Sequence, residues 1–119
     1  MKKPFGFIII DKPKGLTSHD CVNRLRKVYG TRRIGHGGTL DPSVTGVLPC
    51  AIGYATRLIS YLEGPKTYLA RIQLGASTIT DDQEGEILET KEWPLIDAIY
   101  IDKILDGFRG VIQQKPPMI

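Results

Sequence analysis

The residues best suited to chemistry are a carboxylic acid and an imidazole, Asp41 and His36, within one glycine-rich segment. Residues 35–49 contain four glycines and two prolines. Glycine permits backbone angles that other residues avoid, and Pro42 disfavours helical angles at the residue before it. Asp41 is therefore predicted to lie on a stiff, extended loop, where its carboxylate could act as a nucleophile. The competing interpretation is a plain surface turn, because Asp-Pro among Gly, Ser and Thr is typical of turns.

The order of residues in this segment supports the catalytic interpretation. Residues 35–49 closely resemble the nucleophile loop of the TruB family of tRNA pseudouridine synthases. The resemblance continues upstream in residues 11–20 and downstream in residues 66–68 and 75–82, and it covers essentially the whole chain. It implies an enzyme that isomerises a specific uridine, at position 55 in the T-loop of tRNA, to pseudouridine.

The resemblance also assigns roles to individual residues. Asp41 matches the family's nucleophile, and His36 matches a histidine that takes the place of the flipped nucleotide. Tyr68 matches a tyrosine that stacks on the target uracil. Without the resemblance, a loop histidine bonded to backbone and a tyrosine in an apolar core would be the simpler interpretations. The candidates for phosphate contacts are Lys12, Lys14, Arg24, Arg32 and Arg33.

Lys12 has a second interpretation besides a phosphate contact. Together with Pro13 it matches a family motif that supports the active-site loop and does not react. The sequence alone leaves both interpretations of Lys12 open, and the predicted substrate-binding set is His36, Tyr68, Lys12, Arg32 and Arg33.

The implied reaction breaks a glycosidic C–N bond, turns the base, and joins C5 to the sugar without a redox change. No cofactor is therefore expected. A carboxylate could attack the sugar or the base, or act as a base on the sugar, and the sequence leaves these routes open. No metal site is predicted, because only His19 and two isolated cysteines could join His36. Cys21 and Cys50 are predicted to be reduced, packed thiols.

Charge is unevenly distributed along the chain. Residues 1–41 carry nine Lys and Arg against three acids, a net charge of +6, whereas residues 42–119 carry seven against ten, a net charge of −3. The basic part contains the glycine-rich loop, so a polyanion such as tRNA is the expected partner. A solvated basic helix face would give the same asymmetry.

Length and composition limit the kind of protein this can be. A chain of 119 residues forms at most one domain with a modest core, and its composition is ordinary for a globular protein. No apolar run reaches the length of a membrane span or of a signal-peptide core. We expect a monomeric, cytoplasmic protein that binds no membrane.

Apolar spacing predicts the elements that must position the site. A helix should begin at Thr17 or Ser18 and end at Gly30. The other predicted elements are strands at 6–10, 47–52, 66–75, 86–90 and 111–113, helices at 54–62 and through 101–108, and a polar surface loop at 77–85. These elements indicate an α+β domain around a mixed, mostly antiparallel sheet flanked by helices. The resemblance implies the pseudouridine synthase fold, with the active site in a cleft across the sheet.

The resemblance further implies that residues 1–119 are the amino-terminal portion of a pseudouridine synthase catalytic domain. The carboxy-terminal half and the RNA-binding domain are expected to be absent. In the family that half supplies an arginine that pairs with the catalytic aspartate, so the activity of this piece alone stays open.

Other functions compete with the stand-alone tRNA enzyme. One is a guide-RNA-dependent rRNA pseudouridine synthase subunit, to which Val44 is a hint, and another is a catalytically incomplete RNA-binding fragment. A glycosidase-like hydrolase is disfavoured, because that chemistry commonly uses two carboxylates and the loop holds one.

Overall fold

The structure, a computed structural model, describes residues 3–118 of the chain. They form two compact units, and the division falls between Thr67 and Tyr68. The glycine-rich loop and the predicted amino-terminal strand therefore belong to the first unit, whereas Tyr68 is the first residue of the second.

A three-stranded antiparallel sheet is the frame of the first unit. Its central strand β3 (Gly46–Ile52) lies between β1 (Gly6–Lys12) and β2 (Ile34–His36). In this register His36 lies opposite Cys50. The sheet confirms the two predicted strands that became β1 and β3. Sequence patterns do not predict β2, because three residues that include a glycine are too short to show alternation.

Helix α1 (Ser18–Tyr29) begins and ends as the sequence predicts. The Thr17 hydroxyl accepts a hydrogen bond from the Asp20 N–H, and the Asp20 carboxylate accepts one from the Thr17 N–H, each at 2.9 Å. This capping box satisfies amide groups that a first helical turn leaves without partners. Gly30 ends the helix with φ at 62°, in the left-handed region that favours glycine.

The core lies between α1 and the sheet. Its buried members are Cys21, Val22, Leu25, Ile34, Leu40, Leu48, Cys50 and Ile52. Because Leu40 belongs to this core, the residue immediately before Asp41 is anchored by apolar burial. Both cysteines are free thiols, as predicted. Burial, with a smaller effect of Cys21, raises the pKa of the Cys50 thiol to about 11, so this thiol stays protonated at neutral pH.

The helix predicted at 54–62 is present as a 3-10 helix, Gly53–Leu62. It packs tightly on the chain around β2 at two glycines. A Cβ added to Gly35 would lie 2.7 Å from Ile59 Cδ1, and one added to Gly37 would lie 2.9 Å from Leu62 Cβ. Packing against Leu62 therefore favours glycine at position 37, whereas the end of the Ile59 side chain could move to make room at position 35.

The second unit contains a β-hairpin and a helix. Strands β4 (Ala76–Thr78) and β5 (Ile87–Thr90) pair antiparallel, and α2 (Ala98–Asp106) follows. Strand β5 and helix α2 agree with the strand and helix predicted there, while β4 occupies the start of the predicted surface loop. Helices combined with antiparallel sheets confirm the α+β class. Within residues 3–118 no helix is both long and apolar enough to cross a membrane.

The strands predicted at 66–75 and 111–113 do not form in the described part of the chain, so these two predictions are wrong. The sequences of both segments favour strands, but neither segment pairs with another strand. Pairing begins only at β4, directly after the first segment. Alternation shows which side chains would share a face, whereas a strand forms only when a neighbour satisfies its backbone groups. The side chains of Leu69 and Val111 are accordingly fully exposed.

Candidate active site

The backbone just before Asp41 is held by a buried serine. The Ser18 hydroxyl donates to the Leu40 carbonyl oxygen at 3.0 Å and accepts from the Leu40 N–H at 2.8 Å. Both residues are buried, so water does not compete for these bonds. In the sequence Ser18 is only a candidate for the start of α1, a position that Thr17 caps, and its bonds to Leu40 are not predicted. The available signal was its position one helical turn before buried Val22, which places a polar group on the apolar face of α1.

The backbone just after Asp41 is held by a buried lysine. The ammonium group of Lys12 donates to three carbonyl oxygens, at 2.9, 2.7 and 3.3 Å: those of Pro13, Leu16 and Pro42. The Pro42 carbonyl also accepts from the Gly15 N–H at 2.8 Å. A buried ammonium group needs acceptors, and the loop carbonyls supply them.

This geometry contradicts the predicted phosphate contact of Lys12. The side chain has no exposed surface, and its ammonium group already has three acceptors. The alternative interpretation, in which Lys12 supports the loop, fits the contacts. Sequence patterns could not separate the two, because a lysine adds the same charge to a basic segment whether it is buried or exposed.

Asp41 itself presents a carboxylate that accepts no hydrogen bond from the described residues, 3–118. Its side chain is exposed, and among residues 3–118 no basic group lies within 4.0 Å of it. Its own carbonyl oxygen accepts the Val44 N–H at 3.0 Å, which closes a turn. The segment is therefore a turn, as the competing interpretation held, but one whose flanking residues are fixed by Ser18 and Lys12.

Lys66 makes a third contact to this loop. Its ammonium group donates to the Thr39 carbonyl oxygen at 2.8 Å. The lysine side chain passes close to Gly38, where an added Cβ would lie 3.4 Å from Lys66 Cε. This contact is exposed to solvent, so it restrains the loop less than the buried bonds of Lys12 and Ser18.

His36 is half-buried at the end of β2. Its Nδ1 atom is buried and has no hydrogen-bond partner among residues 3–118. Burial, followed by repulsion from His19 and Lys66, lowers the pKa of His36 below its ordinary value of 6.5. The imidazole is therefore neutral at physiological pH.

Protonation of His36 is expected to destabilise the fold. Because its pKa is lower in the folded than in the unfolded chain, the unfolded chain binds more protons once the pH falls below 6.5. The free energy of unfolding then decreases as the pH falls through the folded-state pKa. We expect the urea midpoint of the parent chain to fall more steeply than that of His36→Gln between about pH 7 and pH 5. His19→Gln, which removes an exposed imidazole, should keep most of the slope, and identical slopes for all three proteins would contradict the assignment.

The other basic candidates remain available to a ligand. Lys2, counted in the basic segment, lies outside the described residues. The side chains of Lys14, Arg24, Arg32 and Arg33 are exposed. Arg32 is restrained through its backbone, because its carbonyl oxygen accepts from Arg26 Nε at 3.0 Å. The roles of Arg32 and Arg33 in phosphate binding stay predictions.

Tyr68 is the first residue of the second unit. Its side chain is 55% exposed and lies in the segment that forms no strand. A tyrosine buried in an apolar core, the simpler interpretation of the sequence, is therefore wrong. The exposed ring is free to contact a ligand, and its role as a stacking platform stays a prediction.

Potential metal ligands are dispersed in the described part of the chain. Across residues 3–118 no group of three or more His, Cys, Asp or Glu side chains comes together in a way that could hold a metal ion. Cys21 and Cys50 lie in the apolar core. No residue described here is therefore assigned to a metal.

Comparison with known proteins identifies relatives over almost the whole chain. Residues 26–119 match the family model described as TruB family pseudouridylate synthase, N-terminal domain. A curated protein named tRNA pseudouridine synthase B, from Prochlorococcus marinus strain NATL2A, is 70% identical over 118 residues, which are 99% of this chain and 38% of that protein. A protein of the same name from Synechococcus sp. strain CC9311 is 58% identical over 119 residues, which are 40% of that protein. The chain thus spans about two fifths of the length of these relatives.

A solved structure supports the fold assignment. A chain in the crystal structure of a Cbf5-Nop10-Gar1 complex has 30% sequence identity and a TM-score of 0.64. The match covers 96% of the present chain and 30% of that chain. The similarity extends over both units and agrees with the predicted pseudouridine synthase fold.

Proposed function

This chain belongs to the TruB family of pseudouridylate synthases, and on that premise we propose that it carries the catalytic loop of a tRNA pseudouridine synthase. Its substrate would be the uridine at position 55 in the T-loop of tRNA, and Asp41 would be the nucleophile. The proposal includes a monomer that acts in the cytoplasm. It includes no cofactor, because the substrate and the product are isomers and the reaction involves no net oxidation or reduction.

The observation that carries the proposal is the fixed setting of Asp41. The reaction breaks the bond between N1 and the sugar, forms a bond from C5 to the sugar, and moves a proton from C5 to N1 overall. A carboxylate that attacks during this rearrangement must be held in place before the base turns. The bonds of Ser18 to Leu40 and of Lys12 to Pro42 supply that restraint on both sides of an exposed carboxylate.

The surroundings of the loop support binding to a folded RNA. A uridine must leave its stack to reach Asp41, at a cost of a few kcal/mol, and a side chain can fill the gap. We assign that filling role to His36, whose neutral ring suits stacking. Exposed Arg32 and Arg33 would contact phosphates, and the exposed ring of Tyr68 would stack on the uracil.

The test uses a chimaera in which these 119 residues replace the matching part of the 70% identical Prochlorococcus relative. The substrate is a tRNA transcript with tritium at C5 of its uridines, because C5 loses its hydrogen only when pseudouridine forms. We expect tritium release without guide RNA or protein partners. A transcript with cytidine at position 55 should release none, and a chimaera inactive on the intact transcript would contradict the proposal.

The same assay separates the competing functions. A guide-RNA-dependent subunit would release tritium only when guide RNA and partners are added. The 119-residue chain alone tests the third possibility, because the family's arginine partner for the aspartate has no counterpart within 4.0 Å of Asp41 among residues 3–118. Binding of the transcript by this chain without tritium release would identify it as an RNA-binding piece of the enzyme.

A further inference from the structure

Another surface of the first unit gathers two arginines around one exposed tyrosine. Arg33 Cζ lies 5.1 Å from the centre of the Tyr54 ring, and Arg57 Cζ lies 5.9 Å from it. Both distances are typical of cation–π contacts. The ring is 64% exposed, and both arginine side chains are exposed as well. These three side chains are called the Tyr54 cluster below.

The backbone brings the members of the Tyr54 cluster together. The Gly53 N–H donates to the Arg33 carbonyl oxygen at 2.7 Å, which joins the residue before β2 to the first residue of the 3-10 helix. Side chains three positions apart eclipse in a 3-10 helix, so Arg57 stands over Tyr54. Thr56 restrains Arg33 further, because its hydroxyl accepts from Arg33 Nε at 3.3 Å and donates to the Gly53 carbonyl oxygen at 2.8 Å.

The charge of the Tyr54 cluster is not compensated within the described chain. Two guanidinium groups beside one ring repel each other, and no carboxylate among residues 3–118 lies within 4.0 Å of either. The ring attracts each cation but carries no charge to neutralise it. Among residues 3–118 the terminal nitrogens of Arg33 and Arg57 donate no hydrogen bond. Their paired N–H groups can therefore bind an anion.

Phosphate is the anion that fits this arrangement. A guanidinium group presents paired donors that match two phosphate oxygens, and it binds phosphate more specifically than a lysine does. Each of the two groups beside the ring can bind one phosphate of the same strand. The cluster also includes Arg33 from the basic segment that precedes Asp41.

We propose that Tyr54 is a positioning residue for RNA binding, because its ring holds Arg33 and Arg57 ready to bind the phosphodiester backbone of the RNA. This inference rests on the proposed function and extends its RNA contact to a residue outside the loop. Free arginine side chains lose much rotamer freedom when they bind, and side chains already held in place lose less. Tyr54 acts through the two arginines and touches no reacting atom.

The test measures the dissociation constant of the 119-residue chain for an RNA stem-loop of T-arm sequence at several salt concentrations. Tyr54→Leu is expected to weaken binding about fivefold, the size expected from the loss of exposed cation–π contacts. Tyr54→Phe keeps the ring and should bind like the parent chain.

Replacing both arginines by glutamine should weaken binding and reduce the slope of log K against log salt by about two. Circular dichroism serves as the folding control, because Tyr54 is exposed and its replacement should leave the fold intact.

The decisive comparison places Tyr54→Leu in the background that already lacks both arginines. A positioning residue has nothing left to position there, so the added substitution should cause no further loss of affinity. An equal loss in both backgrounds would overturn the inference, since Tyr54 would then contact RNA directly or support the fold. If the parent chain binds RNA and the Tyr54→Leu variant binds it equally well, this inference fails but the proposed function stands. A parent chain that binds no RNA would overturn the proposed function as well.

Discussion

Asp41→Asn in the chimaera is expected to reduce tritium release from the tRNA transcript at least about a thousandfold, because an amide cannot replace a carboxylate nucleophile. The two side chains have nearly the same shape. The buried bonds of Ser18 and Lys12 involve the backbone of Leu40 and Pro42 and not the Asp41 side chain, so the loop should keep its conformation. Affinity for RNA should therefore be retained or slightly increased, since one negative charge is removed from the loop that we propose contacts RNA.

The matched control for this prediction is Glu63→Gln. It makes the same change from carboxylate to amide at an exposed residue just after the 3-10 helix, and it should leave both turnover and binding unchanged. Retained tritium release by Asp41→Asn would remove the nucleophile assignment. Loss of both turnover and binding would mean that Asp41 organises the loop and is not the reacting group.

Lys12→Met is expected to lower the free energy of unfolding by about 3 kcal/mol, because it removes a charged donor from three carbonyl oxygens in a buried site. Methionine fills a similar volume, so the loss would reflect the missing hydrogen bonds more than a cavity. The Pro42 carbonyl would keep its bond from the Gly15 N–H, which limits the damage at that point. Urea unfolding measures the effect as a lower midpoint.

Lys14→Met provides the control for Lys12→Met. It removes the same charge two residues further along, from an exposed side chain, and it should leave the urea midpoint nearly unchanged. In the Lys12→Met variant, the amides of Gly15 and Val44 should exchange with solvent faster, because they belong to the loop contacts that Lys12 holds. Equal midpoints and equal exchange for the two variants would mean that the buried ammonium group does not support the Asp41 loop.

Local features of this chain could be predicted because they depend on neighbouring residues. Thr17, Asp20 and Gly30 set the limits of α1, since a capping box and a left-handed glycine are determined within a few positions of the helix ends. The turn that begins at Asp41 follows in the same way from glycine and proline, as the competing interpretation of this segment held. The prediction of a strand at 66–75 failed because a strand depends on a partner, which no local pattern can supply.

The sequence by itself determined the family of this protein, the candidate nucleophile and the caps of α1, because each of these depends on residue types at short spacing. Only the tertiary structure decided what Lys12 does, because its ammonium group bonds to Pro42, which lies 30 positions further along the chain. The same holds for Arg33 beside Tyr54 and for Ser18 beside Leu40. Burial arises where distant segments meet, and for this reason the basic side chain of Lys12 is a buried support of the loop whereas that of Arg33 stays exposed.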